Sequence, residues 1–288
     1  MNKKITGGSL LLLSTLIYGM YGIFARKVSV FGPFSQGMLR FSVVVLAILI
    51  ILLLGKFKWK RIEKGDIKWF LIWIIPASFQ QILTFIAFNN LPIGLVYFLL
   101  YSTMILGGII SGKIFFSEIF TKEKTVSLFL VMVGLFLIYR SDLTLITSIY
   151  VFFALGSGLL VGFWNTLSKK VSGNYSEFQI IFLDSLSTLT ISLIGFFATK
   201  ESLPSISNIS SWVWIIIFAL AGLGSTYFLI RGFKYVEAQV GSLILPMELI
   251  FASIFGYFFF KEILSYNIYF GGILIFCAAI IPTLKLRK

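Results

Sequence analysis

Residues 96–119, VYFLLYSTMILGGIISGKIFFSEI, and residues 240–263, VGSLILPMELIFASIFGYFFFKEI, are two versions of one segment. Sliding the chain by 144 positions lays one on the other without a gap. Leu99 meets Leu243, Ile110 meets Ile254, Gly112 meets Gly256, Phe115 and Phe116 meet Phe259 and Phe260, and Glu118 meets Glu262. A shift of 143 brings Arg26-Lys27-Val28-Ser29 onto Lys169-Lys170-Val171-Ser172, Gly19 onto Gly162 and Gln36 onto Gln179. Aliphatic identities arise easily between apolar chains. The glycines, glutamates and basic pairs carry more weight, and they read as a duplication of residues 1–144 in residues 145–288.

Each copy of the segment is long and apolar enough to span a bilayer, which takes about 20 residues. The whole chain has the same character. Of its 288 residues, 58% are hydrophobic and 12% charged, and mean hydropathy is +0.99. Soluble domains carry about 25% charged residues, so a soluble globule is excluded, and disorder with it. Ten apolar runs emerge, at 5–25, 34–54, 69–89, 94–114, 125–140, 148–168, 178–198, 212–231, 239–259 and 268–284, the fifth and tenth being short. The first follows Lys3 and Lys4, but it is longer than a signal-peptide core and lacks a small-x-small cleavage site, so it reads as a retained helix. The expected fold is an all-α integral membrane protein of ten transmembrane helices. Five spans per half is an odd number, so the second half inserts upside down relative to the first, as in many secondary transporters.

Basic residues orient the chain, because cytoplasmic loops carry excess Lys and Arg. With the N-terminus inside, the inner segments hold Lys3, Lys4, Lys56, Lys58, Lys60, Arg61, Lys64, Lys68, Lys113, Lys122, Lys124, Lys169, Lys170, Arg231, Lys234, Lys285, Arg287 and Lys288. The outer segments hold only Arg26, Lys27, Arg140, Lys200 and Lys261. A multi-pass protein of the cell membrane with both termini cytoplasmic is expected. The net charge of +13 follows from this topology. The only dense basic cluster is the short segment 56–68, which is a poor nucleic-acid surface, so no nucleic-acid partner is expected.

These features together resemble the drug/metabolite transporter superfamily, EamA-type. The resemblance rests on ten spans in two five-span repeats and on the aromatic-aromatic-x-Glu ends of the fourth helices, Phe115-Phe116-Ser117-Glu118 and Phe259-Phe260-Lys261-Glu262. Pro246 in the second of those helices, Arg40 in the second span and the Gly271-Gly272 opening of the last span are also similar to that family. The chain departs from the pattern at Ser102, which replaces the first repeat's proline, and at Asp184, which matches Arg40. The resemblance implies an exporter of a metabolite, amino acid or drug, with a central cavity shared by both repeats.

Polar residues at membrane depth mark candidate sites, since a charge there usually faces a cavity or a partner. Glu248 lies near the midplane beside Pro246, which frees a backbone carbonyl and kinks the helix nearby. It reads as a protonatable carboxylate in a translocation cavity or as a hydrogen-bonded brace between helices. Arg40 and Asp184 sit toward opposite faces, their depths differing by on the order of 10 Å. They read as hydrogen-bonded helix braces, or as a gate or substrate contact, and not as a salt-bridged pair. Gln80, with Thr84 nearby and Pro76 one turn earlier, and Tyr97 with Tyr101 on one helix face, are cavity candidates. Tyr18, Tyr21, Trp164, Asn165 and Tyr227 complete the set, with interfacial anchoring as the competing reading for Tyr18, Tyr21 and Trp164. Such an aromatic lining suits an amphipathic organic solute. Gly108 with Gly112 and Gly158 with Gly162 are small-xxx-small pairs for helix packing. Glu118 and Glu262 read as capping or loop-closing groups at span ends.

Other chemistries lack their residues. There is no His, and therefore no HExxH metal site, and no GxSxG nucleophile motif, so an enzyme is not expected. No cofactor or metal is expected either. No GxxxxGK[ST] loop occurs, so energy must come from a gradient or from exchange. A pore would need a filter of charge rings or carbonyls. The single cysteine, Cys277, reads as a small buried apolar residue. The expected partners are the lipid bilayer, a small-molecule substrate and protons. Multidrug efflux and exchange of a phosphorylated or nucleotide-sugar metabolite stand as alternatives to metabolite or amino-acid export. A phosphate would want two or more buried cations, for which Arg40 alone is a poor site.

Overall fold

The computed structural model describes residues 3–140, 148–262 and 265–284. Among them the regular structure is helical throughout, with no strand. In chain order the helices are α1 (Lys3–Gly19), α2 (Tyr21–Lys27), α3 (Pro33–Leu53), α4 (Lys64–Asn90), α5 (Ile93–Phe116), α6 (Lys122–Tyr139), α7 (Tyr150–Val171), α8 (Glu177–Ala198), α9 (Ile209–Phe233), α10 (Ala238–Ile244), α11 (Met247–Phe260) and α12 (Tyr266–Leu284). Two apolar runs are broken. The first run bends at Met20 into α1 and α2, and the ninth breaks at Leu245-Pro246 into α10 and α11. Counting each broken run once, eight spans are long and apolar enough to cross a membrane. The helices α6 and α12 fall short of that measure. The first opens on Lys122-Glu123-Lys124, and the second has only a short apolar stretch. The division at 144/145 lies outside the described residues.

Local chemistry sets the ends. Pro33 occupies the first turn of α3, where its missing N–H costs nothing. The helix expected at 69–89 begins earlier, at Lys64. Asp66 complements the helix dipole in that first turn, and the Tyr175 hydroxyl donates to it at 2.8 Å. Lost hydration raises the Tyr175 phenol above its ordinary range, which keeps it a donor. The fourth helices of the two halves end alike. Ser117 and Lys261 are left-handed, with φ 52° and 57°. The next N–H turns back in each case, from Glu118 to Gly112 O at 3.0 Å and from Glu262 to Gly256 O at 3.3 Å.

The halves interlock. Helix α1 packs on α9 and α11, while α7 packs on α4 and α5; α3 pairs with α8, and α6 with α12. Thus the first helix of each half crosses the fourth helix of the other. A Cβ at Gly19 would stand 2.7 Å from Phe251 Cβ, 3.0 Å from Ala252 N and 3.2 Å from Glu248 O. A Cβ at Gly162 would overlap Met104 O and stand 2.9 Å from Gly107 Cα and Gly108 N. These two contact sets map onto each other under the shifts of 143 and 144 found in the sequence. Only glycine permits backbones this close, the packing logic of small residues in membrane helices.

Large apolar side chains cover the outside. Leu53, Phe129, Phe152, Phe197 and Phe258 are each at least 64% exposed, a surface that suits lipid and not water. Cys277, expected to be buried, is exposed on α12. In a bilayer an apolar residue needs no protein cover, so apolar surroundings in sequence did not imply burial.

Candidate functional site

One cavity of about 500 Å³ lies between the halves. It takes residues from α1 through α5 and from α7, α8, α9 and α11. The break between α10 and α11 brings Leu245 and Glu248 to its wall. Pro246 cannot donate a hydrogen bond, and the chain restarts with Glu248 N bonded to Leu245 O at 3.1 Å. Glu248 is in the first turn of α11. Its carboxylate accepts a hydrogen bond from Tyr101.

The sequence candidates gather here with one exception. Tyr18, Tyr21, Gln80, Tyr97, Tyr101, Trp164, Asn165 and Glu248 all line the cavity, together with Arg40, Asp184 and Met104. Tyr18 and Tyr21 meet edge to face at 4.9 Å. Their hydroxyls reach Thr226 Oγ1 and Ser225 Oγ, each at 3.1 Å. Tyr97 lies between Phe88, at 5.3 Å, and Tyr101, at 6.3 Å. The backbone carbonyl of Gln80 accepts from Thr84 Oγ1 at 2.8 Å and from Ser157 Oγ at 3.2 Å. Trp164 Nε1 donates to Asp184 Oδ1 at 3.0 Å. Tyr227 is the exception. Its ring packs on Phe178 at 5.2 Å and its hydroxyl meets Arg231. Successive helical residues turn by about 100°, so with Thr226 on the cavity wall Tyr227 faces α8 instead.

Arg40 and Asp184 share the cavity, yet among the described residues no ion pair joins them. The Arg40 guanidinium lies 3.5 Å from the Phe218 ring centroid and 5.4 Å from that of Tyr21. Sequence reasoning missed Phe218, Phe88, Ser185, Thr188 and Thr226, which also line the wall. The polar members could have been found by helical phase from Asp184 and Gly222. An aromatic ring in an apolar run gives no such signal, since it serves lipid and cavity equally.

The two ends of the cavity differ. Toward the face where α2 ends and α3 begins, the lining includes the exposed residues Gly22, Ala25 and Pro33. At the opposite face, which carries the N-terminus, polar groups close the bundle. Glu118, its side chain 7% exposed, accepts from Ala238 N at 2.7 Å and Gln239 N at 2.9 Å, capping α10, and pairs with Lys169 at 3.1 Å. Lys124 joins Glu237 at 2.6 Å and Gln239 at 2.7 Å. The repeat mates of Glu118 and Lys169 are Glu262 and Arg26. They also pair, but in the open, with side chains 44% and 56% exposed.

Among the described residues no cluster of His, Cys, Asp and Glu could hold a metal. The site can enclose an organic solute among aromatic walls, a buried cation and two carboxylates.

Known proteins match this picture along the whole chain. An uncharacterized transporter of Archaeoglobus fulgidus is 24% identical over 277 residues, spanning 96% of this chain and 95% of that one. A solved crystal structure superposes with a TM-score of 0.84 over 99% of both chains at 11% identity, a likeness of fold alone. The model of the EamA-like transporter family matches twice, at residues 5–140 and 148–284. With two matches that together cover nearly all of its length, this chain belongs to the EamA-like transporter family, a multi-pass membrane family of the drug/metabolite transporter superfamily.

Proposed function

We propose that this transporter is a secondary exporter of a small organic metabolite or amino acid, working by alternating access in the cell membrane with both termini cytoplasmic. The observation that carries this reading is the contrast between the cavity's ends. One opens past Gly22, Ala25 and Pro33, and the lining stops short of the other, where the Glu118–Lys169 and Lys124–Glu237 pairs join the helices. That second end uses Glu118 and Lys169, whose repeat mates Glu262 and Arg26 lie at the other face. Inverted repeats that exchange such arrangements open a central site to each side in turn. On the basic-residue orientation, the open end faces outward, the state in which an exporter releases its cargo.

Glu248 is the proposed proton carrier, because it is a carboxylate on the cavity wall in a chain without His. The test is transport in reconstituted vesicles of a panel of amino acids, organic acids, lipophilic cations and sugar phosphates, with and without an imposed pH gradient. Gradient-dependent movement of amino acids or organic acids is expected. Movement of lipophilic cations alone would favour multidrug efflux, and movement of sugar phosphates alone would favour exchange.

A further inference from the structure

Three charged side chains line the cavity, and they are not equally satisfied. Asp184 accepts from Trp164 Nε1 at 3.0 Å, and Glu248 accepts from Tyr101. Arg40 has ring faces close by, Phe218 at 3.5 Å, Tyr21 at 5.4 Å and Phe41 at 5.8 Å to centroid, and the Tyr21 hydroxyl beside its guanidinium. Its Nε is buried and has no hydrogen-bond partner. Among the described residues no carboxylate forms an ion pair with it.

Stacking on a ring uses the flat face of a guanidinium and leaves its in-plane donors free. Those donors form a fork whose geometry matches a carboxylate bidentately. A buried cation with an orphan donor is poorly stabilised by rings alone. None of the described residues supplies the acceptor that the Arg40 Nε lacks, which leaves that place to a bound solute. Among the described residues Arg40 is the one basic residue lining the cavity, which matches a single negative charge better than a phosphate dianion. The surrounding Tyr21, Phe41 and Phe218 rings offer an apolar bed beside the charge.

We infer that Arg40 is an anion subsite: the cavity binds an organic solute through one carboxylate held by the Arg40 guanidinium, with the solute's apolar body against the neighbouring rings. This rests on the transport reading only in taking the solute as cargo, and binding can be tested apart from transport.

The experiment is calorimetric titration of the purified full-length protein in detergent with acetate, hexanoate, phenylpropionate and phenylalanine. The amines of matched body, hexylamine and phenethylamine, and inorganic phosphate serve as comparisons. Carboxylates with an apolar body are expected to bind, and the matched amines and phosphate to bind at least about tenfold more weakly. Arg40→Gln should weaken the carboxylates by about tenfold or more, and Arg40→Lys, which keeps the charge but loses the fork, by less. Should Arg40→Gln fail to fold, the wild-type contrast between phenylpropionate and phenethylamine still decides. Equal binding of the amines, no binding of any carboxylate, or unchanged carboxylate binding in a folded Arg40→Gln protein would overturn the proposal. A protein that binds carboxylates yet moves none of them in vesicles keeps the subsite and loses the transport reading. One that moves an uncharged metabolite and binds no carboxylate does the reverse.

Discussion

Glu248 carries two chemical roles that a single substitution separates. If it moves protons, Glu248→Gln copies only its protonated form, so gradient-driven accumulation should vanish while solute exchange survives. Unchanged proton-driven accumulation in Glu248→Gln vesicles would leave the residue as a brace. The brace has its own signature. Glu248→Leu removes the acceptor of the Tyr101 hydroxyl, and an orphaned buried donor costs about 1–3 kcal/mol, which thermal unfolding in detergent would register. Glycines give a second residue-scale contrast. Gly162→Ala drives a methyl into the Met104 carbonyl, and overpacking of this kind costs about 1–3 kcal/mol. Gly8→Ala meets nothing within 4 Å and should be neutral or stabilising by about 0.5–1 kcal/mol, the helix-propensity difference. Equal melting temperatures for the two glycine variants would contradict the close approach of α5 and α7.

At the scale of elements, Glu118 and Glu262 end equivalent helices with equivalent left-handed residues, yet they hold different things. Glu118 caps α10 and pairs with Lys169 out of solvent. Removing such a charged, buried acceptor costs about 1.5–3 kcal/mol. Glu262 shares an exposed pair with Arg26, which is worth no more than about 1 kcal/mol. Glu118→Gln should therefore lower the melting temperature clearly more than Glu262→Gln, and equal losses would mean that the cap on α10 contributes nothing beyond its pair. The sequence made both glutamates legible as span-end caps, because repeat spacing and residue type are local properties. It could not tell which cap is engaged, since that depends on which face of the whole bundle is closed. The helices were legible for a similar reason, as an apolar run long enough to cross a membrane must satisfy its backbone within a helix. Facing was legible only where a polar residue betrayed it. Gln80 and Glu248 announced the cavity, whereas Tyr227 and its neighbour Thr226 differ by one helical step, finer than a run's edges can be read. The break at Met20 was written only in the flanking Gly19 and Gly22.

The whole molecule carries an asymmetry that neither half possesses alone. Ala25 and Ser168 are repeat mates at a shift of 143. Ala25 is exposed on the cavity wall, and Ser168 is 1% exposed near the opposite face. Two copies of one sequence position thus stand in opposite environments. If the halves trade conformations as proposed, opening of the N-terminal face gives Ser168 the environment Ala25 has now, and Ala25 the environment of Ser168. In the traded state Glu262 would cap α5 at the N–H groups of Gly94 and Leu95, the mates of Ala238 and Gln239. Single cysteines at Ala25 and Ser168, each in a Cys277→Ser background, make the trade visible to a membrane-impermeant thiol reagent. Ala25→Cys should label from the face opposite the N-terminus, and Ser168→Cys should label poorly from either. Adding Glu118→Gln, which weakens the closed end, should raise the labelling of Ser168→Cys from the N-terminal face and lower that of Ala25→Cys together with it. If Ser168→Cys gains while Ala25→Cys keeps its full reactivity, the Glu118 network is a local plug, and the halves do not exchange.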